Sequence, residues 1–489
     1  MLMLTLDIGS TCLKAQVFDE KGNILFYRAA ECALTEFDGT QTADIDAITE
    51  TVALLTREAA KAGEICSVAI SSFGESFVAL DENDSILYAP MLYTDKRGER
   101  EAEILSEMFG KDKLFSVTGT LPAAMYSISK LLWLKNNRSE IFRRTKKIML
   151  ICDYIGYLLT GKRAIDYGLA TRTGCFDIRN KVFSQEILNN LEMDASLFSE
   201  PMPTGSIVGE VTPEAEKRFG LAAGCKLILG SHDQICATIG AGAISDGEAA
   251  DGMGSVECIT AVFKCAPDDL QFAEMGYCVV PFPGGQYCTY MFNYTSNLLV
   301  NWYRRQILHG FCAGGDDQFA YLEGDRIPPD DLLLLPYFAG SATPHCDMSA
   351  KGAILNLTLG TTDKQIFRAI LEGTSYEMKL NLKTAAQFGI RVREIIATGG
   401  GANSDFWLQI KSDILRIPVM TLRSAEGGLC GLAMLSAVAL GVCDDLVLAR
   451  DIFVRYRKKF RPQKTYREIY EKKYAKYKKL YRALKEFWK

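Results

Sequence analysis

Residues 1–18 read MLMLTLDIGSTCLKAQVF: an apolar run Leu2–Leu6, a turn Asp7-Ile8-Gly9-Ser10-Thr11, and a second run Leu13–Phe18. A third apolar segment, Ile24–Ala30, follows the polar turn Asp19-Glu20-Lys21-Gly22-Asn23, so the chain opens as antiparallel strands. Ile48, Val52, Leu55 and Ala59 then recur at three- and four-residue spacing, which predicts a helix over 45–62, and Cys66–Ser71 reads as a further strand. From there strands and helices alternate, the pattern of an α/β architecture with helices packed on a sheet.

The first turn carries chemistry. A carboxylate at a strand end, followed by glycine and two hydroxyls, offers an anchor for Mg²⁺, close backbone approach and donors for phosphate oxygens. Read alone, the segment is equally an ordinary hairpin. Gly9-Ser10, six residues, Val17-Phe18 is echoed by Gly254-Ser255, six residues, Val262-Phe263. If the echo marks a duplication, two similar halves meet near residues 243–250 and hold a polyphosphate from both sides of a cleft.

Two later segments have the same character. The strand Leu227-Ile228-Leu229 delivers Asp233 at its end, ahead of a small-residue helix at 235–243. An acid there can accept a proton from a substrate hydroxyl or cap the helix. Strand alternation turns the neighbouring His232 to the opposite face, as a packing or orienting residue. Ile395–Thr398 is a strand running into Gly399-Gly400-Gly401, then a helix with Phe406, Ile410 and Ile414 on its apolar side. Three glycines at such a junction let the backbone lie against a planar or phosphorylated ligand. Gly156–Lys162 imitates a phosphate-binding loop, but Arg163 stands where Ser or Thr is required; the segment reads as a helix closed by Gly161.

Composition narrows the class. The chain has 489 residues, 48% hydrophobic and 24% charged, enough for two or three globular domains. Its net charge is −5, but residues 455–489 hold fifteen Lys and Arg against three acids, so the rest carries −17 and should not attract polyanions broadly. Within that tail Tyr470, Tyr474, Tyr477 and Tyr481 recur at helical spacing, an aromatic stripe for docking on the body. Fifteen scattered cysteines without a C-x-x-C pair suit a reducing compartment, and His232, His309 and His345 are too few for a His-rich zinc site. No apolar run is long enough to span a membrane, and no signal peptide is expected, which points to a soluble cytoplasmic protein.

Asp7-Ile8-Gly9-Ser10-Thr11, Gly230-Ser231-His232-Asp233-Gln234 and Gly399-Gly400-Gly401-Ala402-Asn403, in this order, resemble the FGGY family of carbohydrate kinases. So do Asp153-Tyr154, Asp166-Tyr167, Ala170-Thr171-Arg172-Thr173, Leu335-Pro336-Tyr337, Thr343-Pro344-His345 and Glu372-Gly373, and the likeness covers essentially the whole chain. The resemblance implies two actin-like, ribonuclease-H-like ATPase domains around a central cleft. Residues 1–245 would bind sugar, and residues 246–489, ending in a C-terminal helix at 450–489, would bind nucleotide. It implies ATP and Mg²⁺, with Asp7 near the metal and Gly9, Ser10, Thr11, Gly254, Ser255, Gly400, Gly401 and Ser404 along the nucleotide. Asp233 would be the general base of an in-line phosphoryl transfer, and domain closure would expel water.

The acceptor would meet Gly74, Glu75, Tyr93, Asp95, Asp233 and Gln234. Gly74-Glu75 stands where xylulokinases usually carry Met-His and glycerol kinases Arg-Glu, and Tyr93-Thr94 where many relatives have Trp-Asn. Length and C-terminal helix resemble the xylulokinase and gluconokinase subgroup, with a ketose as the leading substrate and a glycerol-type polyol or gluconate as alternatives. Two acids at 75 and 95 would repel an aldonate carboxylate. The partners expected are a small sugar or polyol and ATP, with no nucleic acid and no membrane, and a homodimer left open. A separate alternative is an actin-like or heat-shock-type ATPase module without a sugar substrate; Asp233 and the polar residues near Glu75 and Asp95 distinguish the two.

Overall fold

In the computed structural model, which describes residues 1–308, 327–423 and 426–488, the chain divides into two compact units. His309 and the terminal Lys489 lie outside the described residues. The first unit comprises Met1–Ile244, Cys278–Tyr287 and Glu426–Val454; the second comprises Ser245–Tyr277, Cys288–Ala425 and Arg455–Lys489.

The first unit is built on β1 (Leu2–Ile8), β2 (Cys12–Asp19), β3 (Ile24–Glu31), β4 (Ile65–Ser72), β5 (Ile207–Glu210) and β6 (Lys226–His232). Their order is β5-β6-β4-β1-β2-β3. β1 pairs antiparallel with β2 and parallel with β4, β4 parallel with β6, and β6 antiparallel with β5. The expected opening hairpins are therefore present, and so is the following helix. It runs Ile45–Ala59, with Asp44 accepting from the Ala47 N–H at 3.0 Å, and continues as a 3₁₀ turn over Ala60–Ala62.

The second unit repeats the plan with β7 (Glu248–Met253), β8 (Glu257–Phe263), β9 (Gln286–Asn293), β10 (Glu394–Thr398), β11 (Val419–Leu422) and β12 (Tyr456–Phe460). The strands run in the order β9-β8-β7-β10-β11-β12. β7 is antiparallel to β8 and parallel to β10, β10 is parallel to β11, and β11 is antiparallel to β12. The order of these six strands, and the sense of the pairs from β8 through β12, match the first sheet, and the Gly9-Ser10 and Gly254-Ser255 turns fall at equivalent hairpins. The six-residue echo is the trace of a structural duplication.

The apolar segment Leu429–Val442 belongs to the helix Gly427–Ala439, which packs in the first unit on the helix Asp233–Gly240. Glycine permits the approach: a Cβ on Gly431 would strike the Cys236 carbonyl, and one on Gly240 the Gly427 carbonyl. Burial of most of this helix explains its largely apolar character, and among the described residues no helix is long and apolar enough to cross a membrane. The imitation phosphate loop is the helix Ile151–Thr160, closed by Gly161 at φ 70°. None of the fourteen described cysteines is in a disulfide.

Residues 450–489 are not one continuous helix: β12 precedes the helix Arg467–Leu484. That helix docks its tyrosine stripe on the helix Asp363–Ala385. Arg368 donates to the Tyr470 hydroxyl at 2.6 Å, Lys379 pairs with Glu471 at 2.9 Å, Lys473 pairs with Glu372, and the Tyr477 hydroxyl donates to Glu377 at 2.5 Å. Burial pushes the Glu377 carboxyl up to about 7. Tyr477→Phe leaves this buried acid short of a donor, and should lower the stability of the second unit by about 1–3 kcal/mol, read from its urea unfolding midpoint.

Candidate active site

Three parallel strands, β1, β4 and β6, have their C-terminal ends at the same end of the first sheet, so the residues there are neighbours. Asp7 lies opposite Ser71, and Ser72 opposite His232. The Ser71 hydroxyl donates to Asp7 Oδ1 at 2.7 Å. Lys14, the β2 partner of Asp7, forms an ion pair with Glu426 at 2.7 Å. Burial, together with the charge of Asp233, pushes the Asp7 carboxyl up to about 6, against the pull of Ser71 and Lys14. The turn beyond it is tight: the Gly9 N–H donates to the Cys12 carbonyl at 3.0 Å, and a Cβ on Gly9 would lie 2.9 Å from that oxygen. Ser10 is half-buried and Thr11 exposed.

Asp233 is the first residue of its helix and follows directly on β6. It does not act as the cap; its Oδ1 accepts the Gln234 N–H at 2.6 Å, and 34% of its side chain stays exposed. Its recessed position pushes the carboxyl up to about 6, with a further rise from Glu75. His232 behaves oppositely: burial, then the Arg172 charge, pushes it down to about 3. A neutral imidazole with so little proton affinity is a poor base at physiological pH, whereas the Asp233 carboxyl titrates nearer neutrality. The expected divergence of these two side chains does not hold, because the strand stops at His232; its Nε2 lies 3.3 Å from Asp233 Oδ1.

Glu75 is buried, in the left-handed region at φ 66°, and its carboxylate is clasped by Arg172, whose Nε lies 2.6 Å from Oε1. The Ser127 hydroxyl donates to the Glu75 carbonyl at 2.7 Å, and the Arg172 guanidinium sits 5.1 Å from the centre of the Tyr126 ring. Gly74 makes the assembly possible. A Cβ there would lie 2.9 Å from Arg172 Cγ and 3.2 Å from His232 Cδ2. Asp95 is likewise neutralised, accepting Arg97 Nε at 3.0 Å, while Tyr93 beside it is 40% exposed. The expected repulsion of an aldonate by Glu75 and Asp95 therefore lapses: each acid carries its own guanidinium.

Sequence reading missed three supports of this region. Lys130 is buried and donates to the Leu92 carbonyl at 2.6 Å and the Met125 carbonyl at 3.1 Å; burial pushes it down to about 8. It ties the Tyr93–Asp95 loop to the Tyr126 segment. Asp166 is buried and accepts the Ser231 and Thr204 hydroxyls at 2.6 and 2.8 Å, fixing the end of β6. Glu426 completes the Asp7–Lys14 charge group. Only Asp166 lay in a segment that the sequence singled out.

In the second unit the Gly254-Ser255 turn meets the glycine run. The Asn297 side chain donates to the Met253 carbonyl at 2.7 Å, and its backbone N–H to the Gly254 carbonyl at 3.2 Å. A Cβ on Gly399, at φ 81°, would lie 2.9 Å from the Met253 carbonyl oxygen, and one on Gly400 3.2 Å from Asn297 Nδ2. Gly401 packs on Met253 in the same way. Asn297, which the sequence did not single out, thus holds two glycine turns together. The Ser404 hydroxyl caps the helix Asp405–Leu415, accepting the Trp407 N–H at 3.0 Å, and is buried. Beneath the turn Lys411 is buried between Asp251 and Glu257.

A sheet repeated in two units, with Gly-Ser turns at matching hairpins and a carboxylate at a strand end, is the arrangement of the actin-like ATPase fold. The family model for the N-terminal domain of FGGY carbohydrate kinases matches residues 2–240, and that for the C-terminal domain residues 281–440. A Bacillus subtilis xylulose kinase is 25% identical across 100% of this chain and 99% of its own length. A gluconokinase of the same organism is 28% identical across 92% of this chain and 90% of its own. Among solved structures, a xylulose kinase from Lactobacillus acidophilus superposes with a TM-score of 0.90 at 24% identity, covering 99% of this chain and 98% of that one.

The chain belongs to the FGGY family of carbohydrate kinases. It is a phosphotransferase that moves a phosphoryl group from ATP to a sugar or polyol hydroxyl, and the alternative of an ATPase module without a sugar substrate is set aside. Removing the partner of Glu75 should be severe. Arg172→Met leaves a buried carboxylate unpaired and is expected to destabilise the first unit by about 3–5 kcal/mol, read by chemical denaturation, with much of the loss recovered in Arg172→Met/Glu75→Gln.

Proposed function

We propose that Asp233 is the general base of this kinase. It takes the proton of the attacking hydroxyl as that oxygen bonds to the γ-phosphorus of ATP, and the bond from phosphorus to the bridging oxygen breaks to release ADP. The observation that carries this reading is the position of Asp233: its carboxylate follows directly on β6, is anchored by the Gln234 N–H and stays 34% exposed, beside a His232 whose burial pushes its proton affinity down. The acceptor binds the first unit beside Gly74, Glu75, Tyr93, Asp95 and Gln234. For the nucleotide, the turn Gly9-Ser10-Thr11 of the first unit, and Gly254-Ser255 and Gly400-Gly401 of the second, offer backbone donors and, in the first two, hydroxyl donors suited to phosphate oxygens; the functional halves we propose are 1–245 for sugar and 246–489 for nucleotide. Ser404 contributes by capping the helix that follows the glycine run.

Asp7 fits a magnesium ion. Burial and the charge of Asp233 both disfavour its ionised form, a situation that a hard dication relieves. Bound there, the ion would supply neutralisation of phosphate charge. The other contributions belong to the protein: Ser71 orients Asp7, the Gln234 N–H orients Asp233, and the Glu75–Arg172 pair holds the loop that faces the acceptor.

The acceptor we propose is a ketose of the xylulose type, supported by full-length likeness to several enzymes named xylulose kinase. Gluconate is the second reading, supported by the balanced charges at Glu75 and Asp95. ATP dependence and the free thiols support a cytoplasmic location.

Asp233→Asn should lower kcat by about 10²–10⁴-fold while calorimetry still detects nucleotide and sugar; undiminished turnover would remove Asp233 from this role. Because Asp233 must be ionised to accept a proton, kcat/KM in the native enzyme should be flat above neutrality and fall as pH drops through about 6. Asn297→Ala should weaken ATP binding about three- to tenfold by loosening the paired turns. Initial rates on xylulose and gluconate decide the acceptor: a higher kcat/KM on gluconate would overturn the ketose reading.

A further inference from the structure

The helix Asp405–Leu415 leaves the glycine run through Ser404, whose N–H donates to the Gly401 carbonyl at 3.2 Å. Further along this helix Lys411 turns inward and pairs with both Asp251 of β7 and Glu257 of β8, and all three side chains are fully buried. In the β7–β8 ladder Asp251 lies opposite Ile259 and Met253 opposite Glu257. The two acids therefore share one face of the sheet, in the last rungs before the Gly254-Ser255 turn. One ammonium thus joins both strands of that hairpin to the helix that continues the glycine run.

Stability does not account for such a group. Taking three charges out of water is expensive, and apolar side chains of similar volume would hold a core at least as well. Here the acids also outnumber the base, and Asp251 Oδ1 has no hydrogen-bond partner among the described residues. What an apolar cluster lacks is direction. Charge-assisted hydrogen bonds from a single Nζ to two carboxylates fix the hairpin against the helix. Asn297 ties the Met253 and Gly254 carbonyls at the turn itself, and Lys411 ties the strands beneath it.

We propose that Lys411 is a positioning residue for the nucleotide: through Asp251 and Glu257 it holds the Gly254-Ser255 turn in register with Gly399-Gly400-Gly401, so that both turns meet one ligand. This rests on the assignment of these turns to the nucleotide, and is independent of the role of Asp233 and of the acceptor.

Titration calorimetry of the full-length enzyme tests it, once with a non-hydrolysable ATP analogue and Mg²⁺ and once with the better substrate of xylulose and gluconate alone. Asp251→Asn/Glu257→Gln/Lys411→Met removes the three charges at nearly constant volume. It should bind the analogue about ten- to hundredfold more weakly, the scale of a small misplacement remote from the reacting atoms. KM for ATP should rise by a similar factor, while sugar affinity and melting temperature stay close to native. Glu257→Met frees β8 alone and leaves a balanced Asp251–Lys411 pair; it should act in the same direction by a smaller factor, and it serves if the triple variant does not fold. Gly400→Val, a side chain placed on the exposed glycine run, reports on the nucleotide assignment itself. If Gly400→Val loses the analogue and the charge-free variants bind it as the native enzyme does, the positioning role falls. If Gly400→Val also binds normally, the nucleotide assignment falls and the proposal with it. Variants that lose sugar and nucleotide together, or whose weaker binding follows a lowered melting temperature, would reduce the group to an element of the core and overturn the proposal.

Discussion

The parallel pairing of β1 with β4 and of β4 with β6 is the constraint from which the site follows. Parallel strands deliver their C-terminal ends to the same end of the sheet, so three segments far apart in the chain end side by side. Asp7, Ser71 and His232-Asp233 are neighbours for that reason alone. A shift of one residue in either pairing would turn each functional side chain to the other face of the sheet. The register is held by the buried apolar residues Leu4, Leu6, Val68, Ile70, Leu227 and Leu229, and the core thereby fixes the chemistry.

Electrostatics then distinguishes the carboxylates that have a guanidinium partner from those that do not. Glu75 and Asp95 are each matched by a guanidinium, and Asp166 is satisfied by hydroxyls and backbone N–H groups. Asp7 and Asp233 lack a guanidinium partner of their own, and burial makes both hold their protons more tightly than an ordinary aspartate, against the pull of Ser71 and Lys14 on the one and of the Gln234 N–H and Arg172 on the other. That imbalance is what a proton acceptor and a cation anchor need, and it is created by burial and proximity. The second unit uses the same sheet differently. There the equivalent hairpin follows Gly252 and Met253, without an acid in the place of Asp7; Gly399 packs against the Met253 backbone, and the nearby acids Asp251 and Glu257 are paired with the buried Lys411.

Much of this was legible in the chain itself. The opening hairpins, the helix at 45–62, the glycine run after Ile395–Thr398 and the two Gly-Ser turns are local patterns, and local patterns survive in a linear string. The docked tyrosine stripe was legible too, since its spacing is helical. The orientation of His232 was not, because strand alternation lapses where the strand ends and the helix begins. The charge state around Glu75 and Asp95 also escaped, since nothing in the loop sequences names their partners.

Sequence alone determined which segments fold as strands, where glycine lets the backbone turn, and which acids stand at strand ends, because each is a property of a few consecutive residues. Tertiary structure decided the partners. Arg172 meets Glu75 across 97 positions, Asn297 meets Met253 across 44, Lys130 meets Leu92 across 38 and Lys14 meets Glu426 across 412. Pairings at such separations depend on how the sheets and helices close on one another, and closure is a property of the packed core as a whole.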